Sequence, residues 1–404
     1  MASRKHRAGQ FVAQPEGYSA FLPSPLPPDP ALELDSKTLR LLSAADQALG
    51  RLDGIVKIVP DPDFFVAMYV RREAVLSSQI EGTQSTLEDL LAVELAPSTL
   101  GVPEDVEEIV NYVSAMNYGL KRLSDLPLSL RLIREIHKEL LTGGRGAQAT
   151  PGEFRTSQNW IGPGGASLAR ATFVPPPPLQ MKDALGDFEK FLHADTELPL
   201  LIDIGLAHAQ FETIHPFLDG NGRVGRLLIT LMLVQRQALR RPLLYLSYYF
   251  KRHRSEYYDW LTAVRQDGDW EGWMRFFLEG VEETASEATA TAQRIFELRE
   301  DHRSLVIEQH LGQNALRLIS LLFARPILNV NLAQSELGVA WVTANKLLGQ
   351  FEELGLVNEI TGQKRSRVFR YAPYLALFDE PEVAEAGAQP QLTEPSPAGG
   401  HSVG

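Results

Sequence analysis

A mainly α-helical protein is predicted by three observations. Apolar residues recur at spacings of three and four over residues 31–125 and again over 126–280; the one break in that pattern is a Gly- and Pro-rich stretch at 143–178; and residues 311–373 read as helix, helix-turn-helix and basic hairpin. The 404 residues are 44% apolar and 22% charged, the balance of an ordinary globular protein long enough for more than one core. There is no Cys, which excludes a disulfide framework, a thiolate nucleophile, an iron–sulfur cluster and any Cys-based zinc site. The longest apolar run, 227–234, is far shorter than the roughly 20 residues a membrane helix needs. The basic start (Arg4, Lys5, Arg7) leads into Gly9, Gln10 and Gln14 rather than an apolar leader core. A cytoplasmic protein without a membrane partner is therefore expected. With 39 Lys and Arg against 51 Asp and Glu, the net charge of −12 argues against a surface that binds nucleic acid throughout, although a local basic patch is compatible with it.

Residues 1–30 are punctuated by Pro23, Pro25, Pro27, Pro28 and Pro30 and show no sustained period, so they are expected to form an extended arm. Residues 31–125 read as a helical N-terminal region. Within it, Asp61 as N-cap, Pro62 at the first helical position and Gly82 just past the end define a helix of about 62–81. Phe65, Met68, Leu76 and Ile80 share one side of that helix, with Ser77 and Glu81 four apart on its flank. Ser85-x-x-Glu88 fits a capping box opening a helix over 87–95. Residues 126–280 form a second helical set. Inside its Gly/Pro stretch, 153–161 and 168–174 flank Gly162-Pro163-Gly164-Gly165 and read as a surface β-hairpin that Pro175 to Pro178 terminate. Residues 281–310 read as one long polar linker helix, and 374–404 as a disordered acidic tail, with Glu380, Glu382, Glu385 and Glu394 but no Lys or Arg after Asp379.

The chemistry is concentrated in His215-Pro216-Phe217-Leu218-Asp219-Gly220-Asn221-Gly222-Arg223-Val224-Gly225-Arg226, a loop opening onto a helix. Gly220, Asn221 and Gly222 let successive backbone N–H groups converge at the positive end of that helix, a ready anion site. Arg223 and Arg226, three apart, can grip phosphates bidentately. Asp219 is a hard oxygen ligand suited to Mg²⁺ bridging phosphates, and His215 can accept a proton from an attacking hydroxyl. These ingredients serve phosphoryl or nucleotidyl transfer. Phe217 reads as the anchor of the loop in the core.

The segment resembles the complete signature of the Fic (Fido) family, His-x-Phe-x-Asp/Glu-Gly-Asn-Gly-Arg-x-x-Arg, and the resemblance extends over about 31–280. It implies an all-α catalytic core over 126–280 and transfer of AMP from ATP to a Tyr, Thr or Ser hydroxyl of a target protein, with release of pyrophosphate. It further implies His215 as general base, Asp219 as Mg²⁺ ligand and Gly220, Asn221, Gly222, Arg223, Val224, Gly225 and Arg226 as the ATP phosphate site. Ser77-Ser78-Gln79-Ile80-Glu81-Gly82 resembles the motif Ser/Thr-x-x-x-Glu-Gly/Asn of self-inhibited relatives, which implies that Glu81 pairs with Arg226 and obstructs ATP. A carboxylate at the negative end of its own helix is unfavourable without such a cation.

By the same resemblance the hairpin of 154–174 is the flap that docks a target segment by strand addition. Relatives place a Tyr pair beside the adenine, which points to Tyr257 and Tyr258; Trp270 and Trp273 read as packing residues. Residues 311–373 resemble a winged helix, with 332–337 and 342–354 as the helix-turn-helix and Lys364, Arg365, Arg367 and Arg370 on the wing. Its seven Lys and Arg against four Asp and Glu allow DNA contact without demanding it; such modules also serve protein contacts and dimerisation, and a homodimer is common among the relatives. The rival expectations are a DNA-binding regulator with the Fic core as sensor, and a Fic enzyme that transfers another group or removes AMP.

Overall fold

The computed structural model describes residues 6–55, 62–95, 102–143, 145–162, 167–363 and 365–379. Two short strands, β1 (Gly9–Ala13) and β2 (Ser19–Pro23), precede the helices α1 (Ser36–Ile55), α2 (Pro62–Ile80), α3 (Leu87–Leu95) and α4 (Glu104–Arg122). Next come α5 (Leu130–Leu140), α6 (Pro178–His193), α7 (Leu200–Ile214), α8 (Asn221–Gln235), α9 (Ser247–Arg252), α10 (Arg254–Asp267) and α11 (Trp270–Glu308). The C-terminal unit runs α12 (Gln313–Ala324), β3 (Ile327–Asn329), α13 (Val330–Leu337), α14 (Trp341–Glu353), β4 (Asn358–Glu359), β5 (Val368–Arg370) and α15 (Ala372–Leu375). Its sheet has the order β3-β5-β4, antiparallel throughout, with Leu328 opposite Phe369 and Asn358 opposite Arg370. No helix among the described residues is long and apolar enough to cross a membrane.

The centre of the molecule is α7, buried on every side from Leu201 to Ile214, with α8 packed against it. A helix without a solvent face is what a run such as 200–214 requires. The 39-residue α11 lies along both α7 and α1. On α2 the stripe Phe65, Met68, Leu76 and Ile80 is buried as its spacing requires. Helix starts are capped by side chains at Ser129, Asp269 and Asn329, whereas α8 begins at left-handed Gly220 with no side-chain cap. That difference matters below, because uncapped N–H groups are an anion site.

The structure corrects several expectations. The N-terminal arm folds as a hairpin, with Phe11 opposite Phe21, and is tied to the body: the Phe21 N–H donates to the Val174 carbonyl, and buried Arg7 reaches Glu271 and the Gly268 carbonyl. The sequence lacks a strand period there because a five-residue pair needs few alternations. Among its described residues the stretch 154–174 forms no strand ladder, and an antiparallel bridge of Ile161 with Phe173 joins its limbs. Backbone bonds made elsewhere, from the Arg155 N–H to the Pro216 carbonyl and from the Phe21 N–H to the Val174 carbonyl, compete with a longer one. The boundary at 280/281 falls inside α11, which runs on without a break because Val281, Ala285, Ala288 and Ala292 keep one face buried. The capping box of α3 lies one residue later than expected: the Thr86 N–H meets Asp89, and the Asp89 N–H meets Thr86 Oγ. Residues 374–379 are not tail, for Tyr374, Leu375 and Phe378 are buried, and the Phe378 ring meets the Tyr69 ring edge-on at 6.0 Å. Asp61, Pro163, Gly164, Gly165, Lys364 and the acidic residues from Glu380 onward lie outside the described residues.

Candidate active site

His215 closes α7 in the left-handed region (φ 49°, ψ 61°), its N–H still bonded to the Phe211 carbonyl at 2.9 Å. Pro216 disfavours continuing the helix, so the chain turns and exposes the His215 carbonyl to the protein interior. Arg155 secures that turn. Its Nε donates to the His215 carbonyl at 2.9 Å and its Nη atoms donate to the carbonyls of Pro176 (2.6 Å) and Ser157 (3.2 Å), while its own N–H donates to Pro216. Asn159 Nδ2 adds a bond to the Phe217 carbonyl at 2.7 Å.

The loop that follows is fixed from within and from below. Asn221 bonds both ways to the Phe217 backbone, accepting its N–H at 2.8 Å and donating to its carbonyl at 2.9 Å. Phe217 stacks on His137 with centroids 3.7 Å apart and planes 5° from parallel. His137 Nδ1 accepts the Gly152 N–H, so Nε2 carries the proton and donates to the Asp219 carbonyl at 3.0 Å. Burial holds His137 in this neutral state, with its pKa pushed down to about 4.

The first turn of α8 then presents the cationic cluster. The Arg226 guanidinium, almost fully buried, donates to Ser77 Oγ (2.8 Å), to the Ser77 carbonyl (3.0 Å) and to Glu81 Oε1 (2.5 Å). Glu81 directly follows the last residue of α2, its N–H bonded to the Ser78 carbonyl, and Gly82 at φ 106° carries the chain away. A Cβ at Gly222 would collide with the Glu81 carboxylate, so the missing side chain is what admits a carboxylate to the mouth of α8. Arg223 donates to Glu108 Oε2 and to Asp219 Oδ1, each at 3.2 Å, and the Gly220 N–H also bonds to Asp219 Oδ1, at 2.6 Å.

His215 is buried, and desolvation lowers its pKa to about 4 although the nearby Glu212 carboxylate pulls the other way. Glu212 lies one turn earlier on α7; burial raises its pKa, opposed by His215 and Arg226. Behind Arg226, burial pushes Glu73 up to about 7 despite hydrogen bonds from Ser247 and Tyr112. Among the described residues no three His, Asp or Glu side chains converge as a metal site of protein ligands alone. A single carboxylate such as Asp219 fits Mg²⁺, which keeps waters and takes the rest of its shell from phosphate oxygens.

His215, Asp219, Gly220, Gly222, Arg223 and Arg226 are thus brought together with Glu81 and Ser77. Three of the expected phosphate-site residues also serve the scaffold. The Val224 side chain is core and its N–H is already bonded to the Gly220 carbonyl; the Gly225 carbonyl accepts from His208; and the Asn221 amide is committed to Phe217. Tyr257 is packed in the core: it stacks on Phe250 at 4.5 Å and its hydroxyl donates to His208 Nε2 at 2.9 Å. Tyr258 is half-buried, with the Arg254 guanidinium 5.8 Å from its ring. Trp270 and Trp273 are buried, the latter bonded to the Gly205 carbonyl. Sequence reasoning missed Glu108, His137, Arg155 and Asn159, which stand 115, 82, 60 and 58 residues from the partners they hold, and no local spacing marks them.

Comparison with known proteins gives the same region. A profile described as Fic/DOC family N-terminal matches residues 39–121, and one described as Fic/DOC family matches 127–233. The Protein adenylyltransferase Fic of Culex quinquefasciatus is 30% identical over 213 residues, 51% of this chain and 39% of that protein. The protein of the same name from Drosophila melanogaster is 28% identical over 266 residues, 63% of this chain and 49% of that protein. The chain therefore spans less than half the length of these curated relatives. The crystal structure of a Fic family protein from Desulfovibrio desulfuricans G20 superposes with a TM-score of 0.54 at 20% identity, covering 84% of this chain and 97% of that one, which shows a shared fold. Two adjoining profile matches and the unbroken segment from His215 to Arg226 identify residues 39–121 and 127–233 as Fic/DOC family regions.

Proposed function

We propose that the protein is an auto-inhibited protein adenylyltransferase, moving AMP from ATP to Tyr, Thr or Ser hydroxyls of a target protein. The observation that carries this reading is the Glu81 carboxylate, an anion already seated on Arg226 and against Gly222 at the uncapped start of α8. A cradle that takes a carboxylate through a guanidinium and a helix N-terminus takes a phosphate by the same interactions. The two anions compete, which makes the contact inhibitory.

In the open state Arg223 and Arg226 would hold the β- and γ-phosphates, and Asp219 would carry Mg²⁺, which neutralises phosphate charge when bound. His215 is neutral at pH 7 and accepts the proton of the target hydroxyl as its oxygen bonds to the α-phosphorus. The bond from that phosphorus to the α–β bridging oxygen breaks, and the electron pair leaves with pyrophosphate. Loss of a positioned base of this kind costs about 10²–10⁴-fold in rate.

The C-terminal unit follows the element order of a winged helix. Its wing arginines are largely spoken for: Arg367 bonds Glu352 and Asn345, and Arg370 pairs with Glu88 of α3. This supports a role in contacts between parts of the protein over DNA binding.

The test is the intact mass of wild type, Glu81→Gly and Glu81→Gly/His215→Ala after incubation with ATP and Mg²⁺. One AMP added to the single variant alone is expected. A phosphate adduct, or an equal AMP adduct in the His215→Ala variant, would overturn the reading.

A further inference from the structure

Both arginines of the α8 turn are held by carboxylates from the N-terminal helical region, and the two carboxylates are differently mounted. Glu81 stands at a helix end, 28% exposed and followed by left-handed Gly82, so it can withdraw without unfolding α2. Glu108 stands inside α4, a helix packed on α2, α5 and α8, and its side chain is 12% exposed. Its Oε2 accepts from Arg223 Nη1 at 3.2 Å while Nη2 of the same guanidinium donates to Asp219 Oδ1 at 3.2 Å. Fixing both Nη atoms of a planar fork sets its plane and its rotation about the side-chain axis. The Arg223 side chain is only 5% exposed, so little water competes for these bonds.

We propose that Glu108 is a positioning residue: it holds the Arg223 guanidinium beside Asp219, turned toward the polyphosphate of the bound nucleotide, and so raises nucleotide affinity without touching the nucleotide. A partner largely buried in the second turn of a packed helix is a fixed mount, unlike the removable Glu81. This rests on the reading of Arg223 as a phosphate ligand.

The test is calorimetric titration of ATP and of AMP into the Glu81→Gly protein and into the same protein carrying Glu108→Ala, Glu108→Gln, Arg223→Ala or Glu108→Ala/Arg223→Ala. Glu108→Ala is expected to weaken ATP binding by about ten- to a hundredfold, the scale of one charged hydrogen bond, and to leave AMP within about twofold. Glu108→Gln keeps an acceptor for Nη1 and recovers part of the loss. Added to Arg223→Ala, the Glu108→Ala change is expected to cost nothing more, since the two act as one unit. Unchanged or tighter ATP binding, an equal loss for AMP, or a full further loss on top of Arg223→Ala would each overturn the proposal. If Glu108→Ala does not fold by circular dichroism, Glu108→Gln carries the test, with an ATP-selective loss of about threefold expected and none overturning it. Mass analysis of the same samples separates the two claims. An ATP-selective loss without AMP transfer in the Glu81→Gly protein would sink the adenylyltransferase reading and leave the role of Glu108 standing.

Discussion

The Glu81 carboxylate and the Arg226 guanidinium meet at 2.5 Å, and the contact is asymmetric: the Arg226 side chain is 1% exposed and that of Glu81 is 28% exposed. Breaking a buried ion pair is costly when it strands a charge. Here withdrawal of Glu81 returns the carboxylate to water, and in the proposed open state Arg226 would exchange it and Ser77 for phosphate oxygens. Under the proposed function this contact is the one that breaks. A bias of about 1.4 kcal/mol moves such an equilibrium tenfold, within reach of one added or lost contact on α2.

Ser77→Ala should loosen the switch from behind. It removes the acceptor of Arg226 Nε and leaves a buried donor unpaired, at a cost of about 1–3 kcal/mol to the closed arrangement. ATP-dependent mass gain is expected to rise by roughly tenfold over wild type. A rate at or below wild type would show that Ser77 serves the open state instead.

Gly225→Ala should act through packing. A Cβ there would collide with Glu212 Oε1 and crowd the Phe211 ring, because α7 and α8 approach closely at this point. Overpacking of this kind costs about 1–3 kcal/mol. Chemical denaturation should show the loss, and Glu212→Ala in the same chain should restore part of it; a loss untouched by Glu212→Ala would place the strain elsewhere.

Arg155→Ala should damage fold and site together. The carbonyls of His215, Pro176 and Ser157 lose their donor in one change. At about 1–3 kcal/mol for each stranded acceptor, a total near 3 kcal/mol or more is expected in urea titration. Arg155→Lys reaches only part of the set and should fall between wild type and Arg155→Ala.

Acid should destabilise the protein earlier than its carboxylates alone would. Burial depresses His137 and His215 to about 4 and His208 to about 3, so between these values and the ordinary 6.5 the unfolded chain binds more protons than the native one. Stability from these three groups is fully present above about 6.5 and is lost as pH falls toward 3–4. Glu73, raised from 4.5 to about 7, has the opposite sign: its contribution is present below 4.5 and is lost as pH rises through 7. Melting temperature is expected to fall from pH 6.5 to pH 4.5 and to fall less in His208→Gln; an unchanged slope in that variant would contradict the assignment.

The readable parts of the molecule are those where neighbouring residues set one another's state. Gly82, in the left-handed region at φ 106°, follows the end of α2, and the buried stripe Phe65, Met68, Leu76 and Ile80 follows from spacing alone. The β1–β2 hairpin was missed because a five-residue strand between prolines carries almost no period, and its order comes from the Val174 and Glu271 contacts. Residues 374–379 were missed for a related reason. An apolar run beside an acidic tail gains its structure only where Tyr69 and Arg72 receive Phe378.

By itself the sequence determined the helical class, the helix carrying Glu81 and the chemistry of the loop from His215 to Arg226, since backbone preferences and short-range spacing are local properties. Tertiary structure alone decided which side chains complete that loop. Glu81 reaches Arg226 across 145 residues, Glu108 reaches Arg223 across 115, and Arg155 holds His215 across 60. It also gave the motif's groups their partners: Arg226 meets Glu81 and Ser77, the Val224 side chain joins the core, the Gly225 carbonyl meets His208 and the Asn221 amide meets Phe217. The physical reason is that a charged or polar side chain can be buried only against a partner of matching chemistry, and which partner arrives depends on how the helices pack.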